Sequence, residues 1–216
     1  MAKKKAIILG AGGHAKVVLE CLDRDKFEVV GFLDKDNLRQ GEKILSIPIL
    51  GDDSEPDRWF SQGITCCIVG IGHMGNPQLR NKLYHAYINA GYELVTAIHP
   101  TAQISPSARI GAGTVIMPGA ILNADSVIGN NCIINTGTII EHDTHIADGV
   151  HIAPGCVIAG AVKINENSFV GVGSNVINGI CIDHDCIIGA GSVVITDLPG
   201  NSVSVGVPAR IIKENI

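Results

Sequence analysis

The chain has 216 residues, 46% hydrophobic but only 4% aromatic, with 26 glycines and a formal net charge of −5. That size accommodates one large or two small domains, and an aliphatic, ring-poor, glycine-rich composition suits a repetitive β architecture. The negative balance argues against nucleic acid, no apolar run is long enough for a signal peptide or a membrane span, and seven cysteines without CxxC spacing argue against a disulfide framework or zinc site; a reduced, cytoplasmic protein is expected.

From the N-terminus, Ala6–Leu9, Val29–Leu33, Cys66–Ile71 and Leu94–Ala97 are expected as strands, and His14–Leu22, Glu55–Ser61 and Gln78–Ala90 as helices. Strand–helix alternation implies parallel pairing through crossover helices, so residues 1–97 are expected to form a small α/β, Rossmann-like domain. Its first turn, Gly10-Ala11-Gly12-Gly13-His14-Ala15, fits G-x-G-x-x-A between a strand and a helix, and Asp34 ends the next strand. That pattern places a diphosphate on the helix N-terminus and Asp34 near a ribose. A tight turn that needs glycine accounts for it equally. A second loop, Gly70-Ile71-Gly72-His73-Met74-Gly75, follows another strand at the same sheet edge; His73 is taken as a loop residue. The charges at Asp34, Lys35, Asp36 and Arg39 also suit a solvated turn.

At residue 98 the pattern changes. Stepping by six from Ile98 to Val194 gives seventeen branched aliphatics in succession, and fourteen of the seventeen residues three places further on are Gly, Asn or Asp. Those residues tolerate a left-handed backbone, so each hexad carries a turn. The next position is mostly small, and there Cys132, Cys156 and Cys186 are expected in the core. Three hexads make one coil, so residues 18 apart stack at about 4.8 Å. A parallel β-helix is therefore expected over 98–199, followed by a tail segment at 200–216. Two outward columns are largely apolar: Gln103, Ile121, Ile139, Val157, Asn175 and Val193 in one, Val115, Ile133, His151, Phe169 and Ile187 in the other. Contiguous apolar surface signals association, so a homotrimer is expected along the edge between those faces.

His142 is the strongest catalytic candidate, in Ile140-Glu141-His142-Asp143 on a coil corner. A histidine there can serve as a general base near neutral pH, and Asp143 is placed to orient the ring. Asp143 also holds an ordinary turn position, and His184 occupies the same hexad position as His142 and serves as an internal control.

Taken together, Gly10–Val18, Phe32-Leu33-Asp34-Lys35, Ile98-His99-Pro100, Ile140-Glu141-His142 and Val205–Arg210 resemble the sialic-acid O-acetyltransferase and bacillosamine-pathway (PglD-like) N-acetyltransferase family, end to end. The resemblance implies a left-handed coil, a homotrimer and acetyl-CoA as co-substrate, with no metal. It implies His142 as general base, with Asp143 where the family often has Glu. It implies coenzyme contacts at His151, Gly160, Val172 and Ala190, and nucleotide-sugar contacts at Gly10, Gly12, Gly13, His14, Asp34, Lys35 and Gly72. The expected reaction is acetylation of the 4-amino group of a UDP-linked amino-deoxy sugar. O-acetylation of sialic acid or another sugar is the nearest alternative, and a non-catalytic trimeric nucleotide-sensing scaffold the next. An NAD(P) oxidoreductase is disfavoured because no separate catalytic set accompanies the glycine loop.

Overall fold

The computed structural model describes residues 2–215. The N-terminal part runs β1 (Lys4–Leu9), α1 (Gly13–Cys21), β2 (Phe27–Leu33), β3 (Lys43–Ile44), β4 (Ile47–Gly51), α2 (Pro56–Phe60), β5 (Cys66–Val69), α3 (Gln78–Asn89) and β6 (Glu93–Leu94). The six strands form one sheet in the order β3-β4-β2-β1-β5-β6, parallel except for the β3–β4 hairpin. That hairpin is absent from the sequence-based assignment. Its turn residues, Leu45 and Ser46, sit at φ 47° and 70° and carry none of the Gly or Asn signal that marks such turns. The expected strand at Leu94–Ala97 is in fact a junction: β6 closes the first sheet, and Ala97–Ile98 opens the coil.

From Ala97 the chain winds as a three-sided coil of two-residue strands. Each pairs in parallel with the strand 18 residues on, as in Val115↔Ile133 and Ile121↔Ile139. Face one begins at Ala97–Ile98, face two at Gln103–Ile104 and face three at Arg109–Ile110. The inward aliphatics from Ile116 to Val194 are almost completely buried, each contributing about 1.5–3 kcal/mol. The small inward position is solved chemically as well as sterically. Thr114, Thr138, Thr144, Ser168 and Ser174 each donate a hydroxyl to the backbone carbonyl 15 residues on. Cys132 and Cys156 direct their thiols to the carbonyls of Ala147 and Gly171 in the same way. A thiol therefore substitutes for a hydroxyl at that position, and burial pushes Cys132 up to about 12. The segment after Pro199 continues the coil: Ser202–Val205 pairs with Ile187–Ile188, and Arg210–Glu214 folds back antiparallel as a terminal strand.

Every corner from Gly113 to Gly191 puts its turn residue at positive φ. Ala161 (φ 57°) is the one turn residue of that series that is not Gly, Asn or Asp. A Cβ in this conformation costs about 1–2 kcal/mol, partly offset by the greater freedom of unfolded glycine. Ala161→Gly is expected to raise stability by about 0.5–1 kcal/mol in urea unfolding; a loss would show that the methyl is packed.

The two parts are one packed unit. Ala11, Ala15 and Val18 share a core with Ala97, Val115, Met117 and Ile133. Arg80, 1% exposed, donates to the carbonyls of Val69, Ile71 and Asn131. This corrects the sequence-based picture of two exposed apolar faces. The face with Val115, Ile133 and His151 is covered by the chain's own N-terminal domain. Of the two apolar faces, face two, with Ile121, Ile139, Val157 and Val193, is the one without such cover among the described residues.

Candidate functional site

Two separate places carry the expected site residues. The first is a cleft of about 270 Å³ lined by Gly10, Ala11, Gly12, Gly13, His14, Asp34, Lys35, Asp53, Gly70, Ile71, Gly72 and Leu79. It lies beyond the carboxyl ends of β1, β2 and β5, where parallel sheets bind ligands. The glycines there serve different ends. Gly10 needs its φ of 97°, and a Cβ would strike Ile71 at 2.5 Å. Gly12 and Gly13 are not at positive φ, and a Cβ on either would meet nothing within 4 Å. Neither turn geometry nor packing calls for glycine there, whereas close approach by a ligand does. α1 begins at Gly13, and Gly12 caps it with no side-chain hydrogen bond, so first-turn N–H groups face the cleft.

Asp34 is more constrained than a solvated turn residue. Its Oδ1 accepts the Asp36 N–H (3.0 Å), and its Oδ2 accepts Arg39 Nη1 (2.8 Å). The same Nη1 reaches the Ala11 carbonyl at 3.2 Å, so Arg39 clamps the turn onto the glycine loop. Arg39→Ala is expected to weaken binding of a ligand in this cleft about tenfold while leaving binding at the coil unchanged, since a charged hydrogen bond contributes about 1.5 kcal/mol or more. Calorimetric titration at each place checks this. Asp53, which sequence reasoning missed within an ordinary-looking acidic turn, reaches the same cleft, and burial holds its carboxyl above the usual range.

The second place is the coil edge between faces two and three, where His142 is 62% exposed. Its Nδ1 bonds Asp143 Oδ2 at 2.8 Å, and that bond, with the nearby carboxylates, raises its pKa. The ring lies on Gly160, one coil further: a Cβ there would sit 2.8 Å from Nε2. His184 repeats the arrangement, with Nδ1 2.9 Å from Asp185 and its ring against Gly200. The pair and its glycine floor are therefore products of the coil corner. What separates the two is position. His184 stands on the edge next to the chain's own α3, whereas His142 stands on the one edge that does not border the covered face.

The remaining residues do not converge in one chain. Val172 and Ala190 are exposed on the edge between faces one and two, a whole face from Gly160. His151 is 7% exposed, its Nδ1 bonded to the His73 carbonyl (2.6 Å) and its Nε2 to Asn135 (3.1 Å). As placed, it has no ring nitrogen left for a coenzyme. His73, taken from sequence as a loop residue, does lie in the loop between β5 and α3, and it is buried in the domain junction with Nε2 3.1 Å from the Gly149 carbonyl. Burial drives both down, His73 to about 3 and His151 to about 4. Among the described residues, no group of three or more His, Cys, Asp or Glu is arranged to hold a metal ion, and no helix is long and apolar enough to cross a membrane.

Residues 5–87 match the PglD N-terminal domain, and residues 125–160 match the bacterial transferase hexapeptide (six repeats). A histidine-to-asparagine variant of perosamine N-acetyltransferase from Caulobacter crescentus, in complex with CoA and GDP-perosamine, is 41% identical, with a TM-score of 0.91 over 99% of each chain. The acetyltransferase domain of PglB from Neisseria gonorrhoeae, in complex with acetyl coenzyme A, is 30% identical, with a TM-score of 0.89 over 98% of this chain and 100% of that one. WeeI from Acinetobacter baumannii, 23% identical with a TM-score of 0.81, shares the fold.

Proposed function

Because this chain belongs to the hexapeptide-repeat sugar N-acetyltransferases with a PglD N-terminal domain, we propose that it transfers the acetyl group of acetyl-CoA to the amine of a nucleotide-linked amino sugar, with His142 as general base. The observation that carries this reading is the His142 ring, held by Asp143 and laid on Gly160 at an outward edge. With Nδ1–H donated to Asp143, Nε2 is the proton acceptor. The amine attacks the thioester carbonyl, a C–N bond forms, and His142 takes the ammonium proton. The tetrahedral intermediate then collapses with C–S cleavage, and the imidazolium returns the proton to the departing thiolate. The Gly160 N–H is the proposed donor to the oxyanion.

The cleft at Gly10, Gly12, Gly13, His14, Asp34, Lys35 and Gly72 holds the nucleotide diphosphate in this reading, and Gly160, Val172 and Ala190 line the coenzyme path. Within one chain Gly160 lies on one edge of the coil and Val172 and Ala190 on another. A homotrimer packed through the uncovered face two reunites them by placing the edge of one subunit against that of the next, and it also brings a nucleotide cleft from face one within reach of His142. Light scattering is expected to give three chains per particle. Seven free cysteines fit a reducing cytoplasm.

The family resemblance favours a UDP-linked sugar such as UDP-4-amino-4,6-dideoxy-N-acetylglucosamine as acceptor, and the relative crystallised with GDP-perosamine makes the GDP-linked sugar its direct competitor. Incubating the protein with acetyl-CoA and a panel of both, while following free thiol release and product mass, tests the proposal. Thiol release without N-acetylated product would overturn it.

A further inference from the structure

The cleft read above as the nucleotide-diphosphate site is poor in positive charge. Apart from His14, its ionisable lining residues are Asp34, Lys35 and Asp53. Arg39 pairs with Asp34 at 2.8 Å, and Lys35 does no more than balance Asp53 in number. The N-terminus of α1 adds about half a charge. A diphosphate carries several negative charges, and this supply falls short of them.

A further cation lies behind the cleft wall. Arg80, the third residue of α3, is 1% exposed. Its Nη1 donates to the carbonyls of Val69 and Ile71, both at 2.8 Å. Its Nε donates to the Asn131 carbonyl at 3.1 Å, and its Nη2 to that of Gly113 at 3.5 Å. Val69 and Ile71 bracket Gly70, and Gly70, Ile71 and Gly72 line the cleft. One layer of backbone therefore separates the guanidinium from the ligand space. Its partners are all carbonyl dipoles, and among the described residues no carboxylate forms an ion pair with it.

Burying a cation without a counter-ion is expensive, and its place in the first turn of a helix opposes it further. The four carbonyls account for a side chain rich in donors. They do not account for an uncompensated charge. That charge is felt in the cleft: His14, in its lining, is lowered to about 3 by burial first and by Arg80 second. Burial also shields the interaction from salt.

We propose that Arg80 is a positioning residue for the diphosphate, which fixes the Gly70–Gly72 wall and, without touching the ligand, supplies positive charge that the lining lacks. The proposal rests on the nucleotide-diphosphate reading of the cleft. Two charges about 10 Å apart, at an effective dielectric of about 20, alter an affinity roughly tenfold.

Calorimetric titration of the intact protein and three variants with GDP, UDP and their monophosphates tests this. Thermal midpoints and acetyl-CoA affinity verify folding. Asn131→Asp adds a carboxylate at the residue whose own carbonyl holds Arg80 Nε. It leaves the four bonds in place, since they end on main-chain oxygens, and aspartate tolerates the φ of 56° there. Asn131→Gly removes the same amide and adds no charge. Asn131→Asp is expected to weaken diphosphate binding about tenfold, and Asn131→Gly to leave it unchanged. Arg80→Gln is expected to weaken the diphosphate about tenfold and the monophosphate less, because the smaller charge gains less from the field. Equal losses for both nucleotides in Arg80→Gln, or an Asn131→Asp variant that binds like Asn131→Gly, overturn the electrostatic role while leaving the nucleotide reading intact. If Arg80→Gln does not fold, the two Asn131 variants decide. An intact protein that binds neither GDP nor UDP overturns the nucleotide reading of the cleft, and the role of Arg80 with it.

Discussion

His142→Ala is expected to lower kcat/KM for acetyl transfer by about 10²–10⁴-fold, the usual contribution of a positioned general base, while His184→Ala leaves it unchanged. The comparison is demanding because the two histidines are locally alike: each bonds the following aspartate, and each rests on a glycine one turn of coil away. If dyad geometry alone made a base, the two variants would behave similarly. The pH profile supplies a second readout. Only neutral imidazole accepts a proton, and the Asp143 hydrogen bond holds the His142 pKa above its ordinary value, so the acid limb of kcat/KM is expected above about pH 6.5. Asp143→Asn should move that limb downward and also lower the plateau, since the imidazolium loses its counter-charge. Gly160→Ala should lower kcat by displacing the ring, because its Cβ would sit 2.8 Å from Nε2. Full activity in His142→Ala would remove the histidine from the chemistry.

Acid is expected to unfold this protein more readily than its modest charge suggests. His73 and His151 are buried as neutral rings in the domain junction, at about 3 and about 4 against an ordinary 6.5. His14, also at about 3, carries a buried Nε2 with no hydrogen-bond partner. A histidine whose folded pKa is lowered stabilises the fold in its neutral form. That stability is complete above the unfolded pKa and is lost as pH falls from about 6.5 toward 4, at about 1.4 kcal/mol per pH unit for each ring. By pH 4.5, His73 and His151 alone withdraw about 5 kcal/mol, on the scale of a whole domain's stability. Urea unfolding at a series of pH values should show that slope, and His151→Phe should flatten it by about one proton. A flat profile would show that these rings protonate in place without cost.

The coil was legible because its constraint repeats. A hexad period in Ile and Val, with Gly, Asn or Asp three places later, leaves few architectures available, and the structure places those residues inward and at positive φ. The glycine loop was legible for the same reason, as a local pattern with a local cause. What escaped was non-local. Val115 and Ile133 look identical to Ile121 and Ile139 in sequence, and only the docking of α1 and Arg80 decides which column is covered. His73 carried no period or motif, since its partners, Gly149 and His151, lie 76 and 78 residues away. Arg39 was visible as a charge, but its bond to Ala11 depends on a turn that closes over 28 residues.

The recurrence of a histidine, an aspartate and a glycine floor at His184 bears on how such proteins acquire chemistry. Side chains at a corner project away from the core, so two exchanges in one hexad, with a glycine one coil on, raise an oriented imidazole without disturbing a single inward residue. New reactive pairs are thus a short mutational step from any blank corner. Selection acts mainly on which edge a neighbouring subunit and two substrates can reach, and the scaffold can relocate its reaction while its fold is inherited intact.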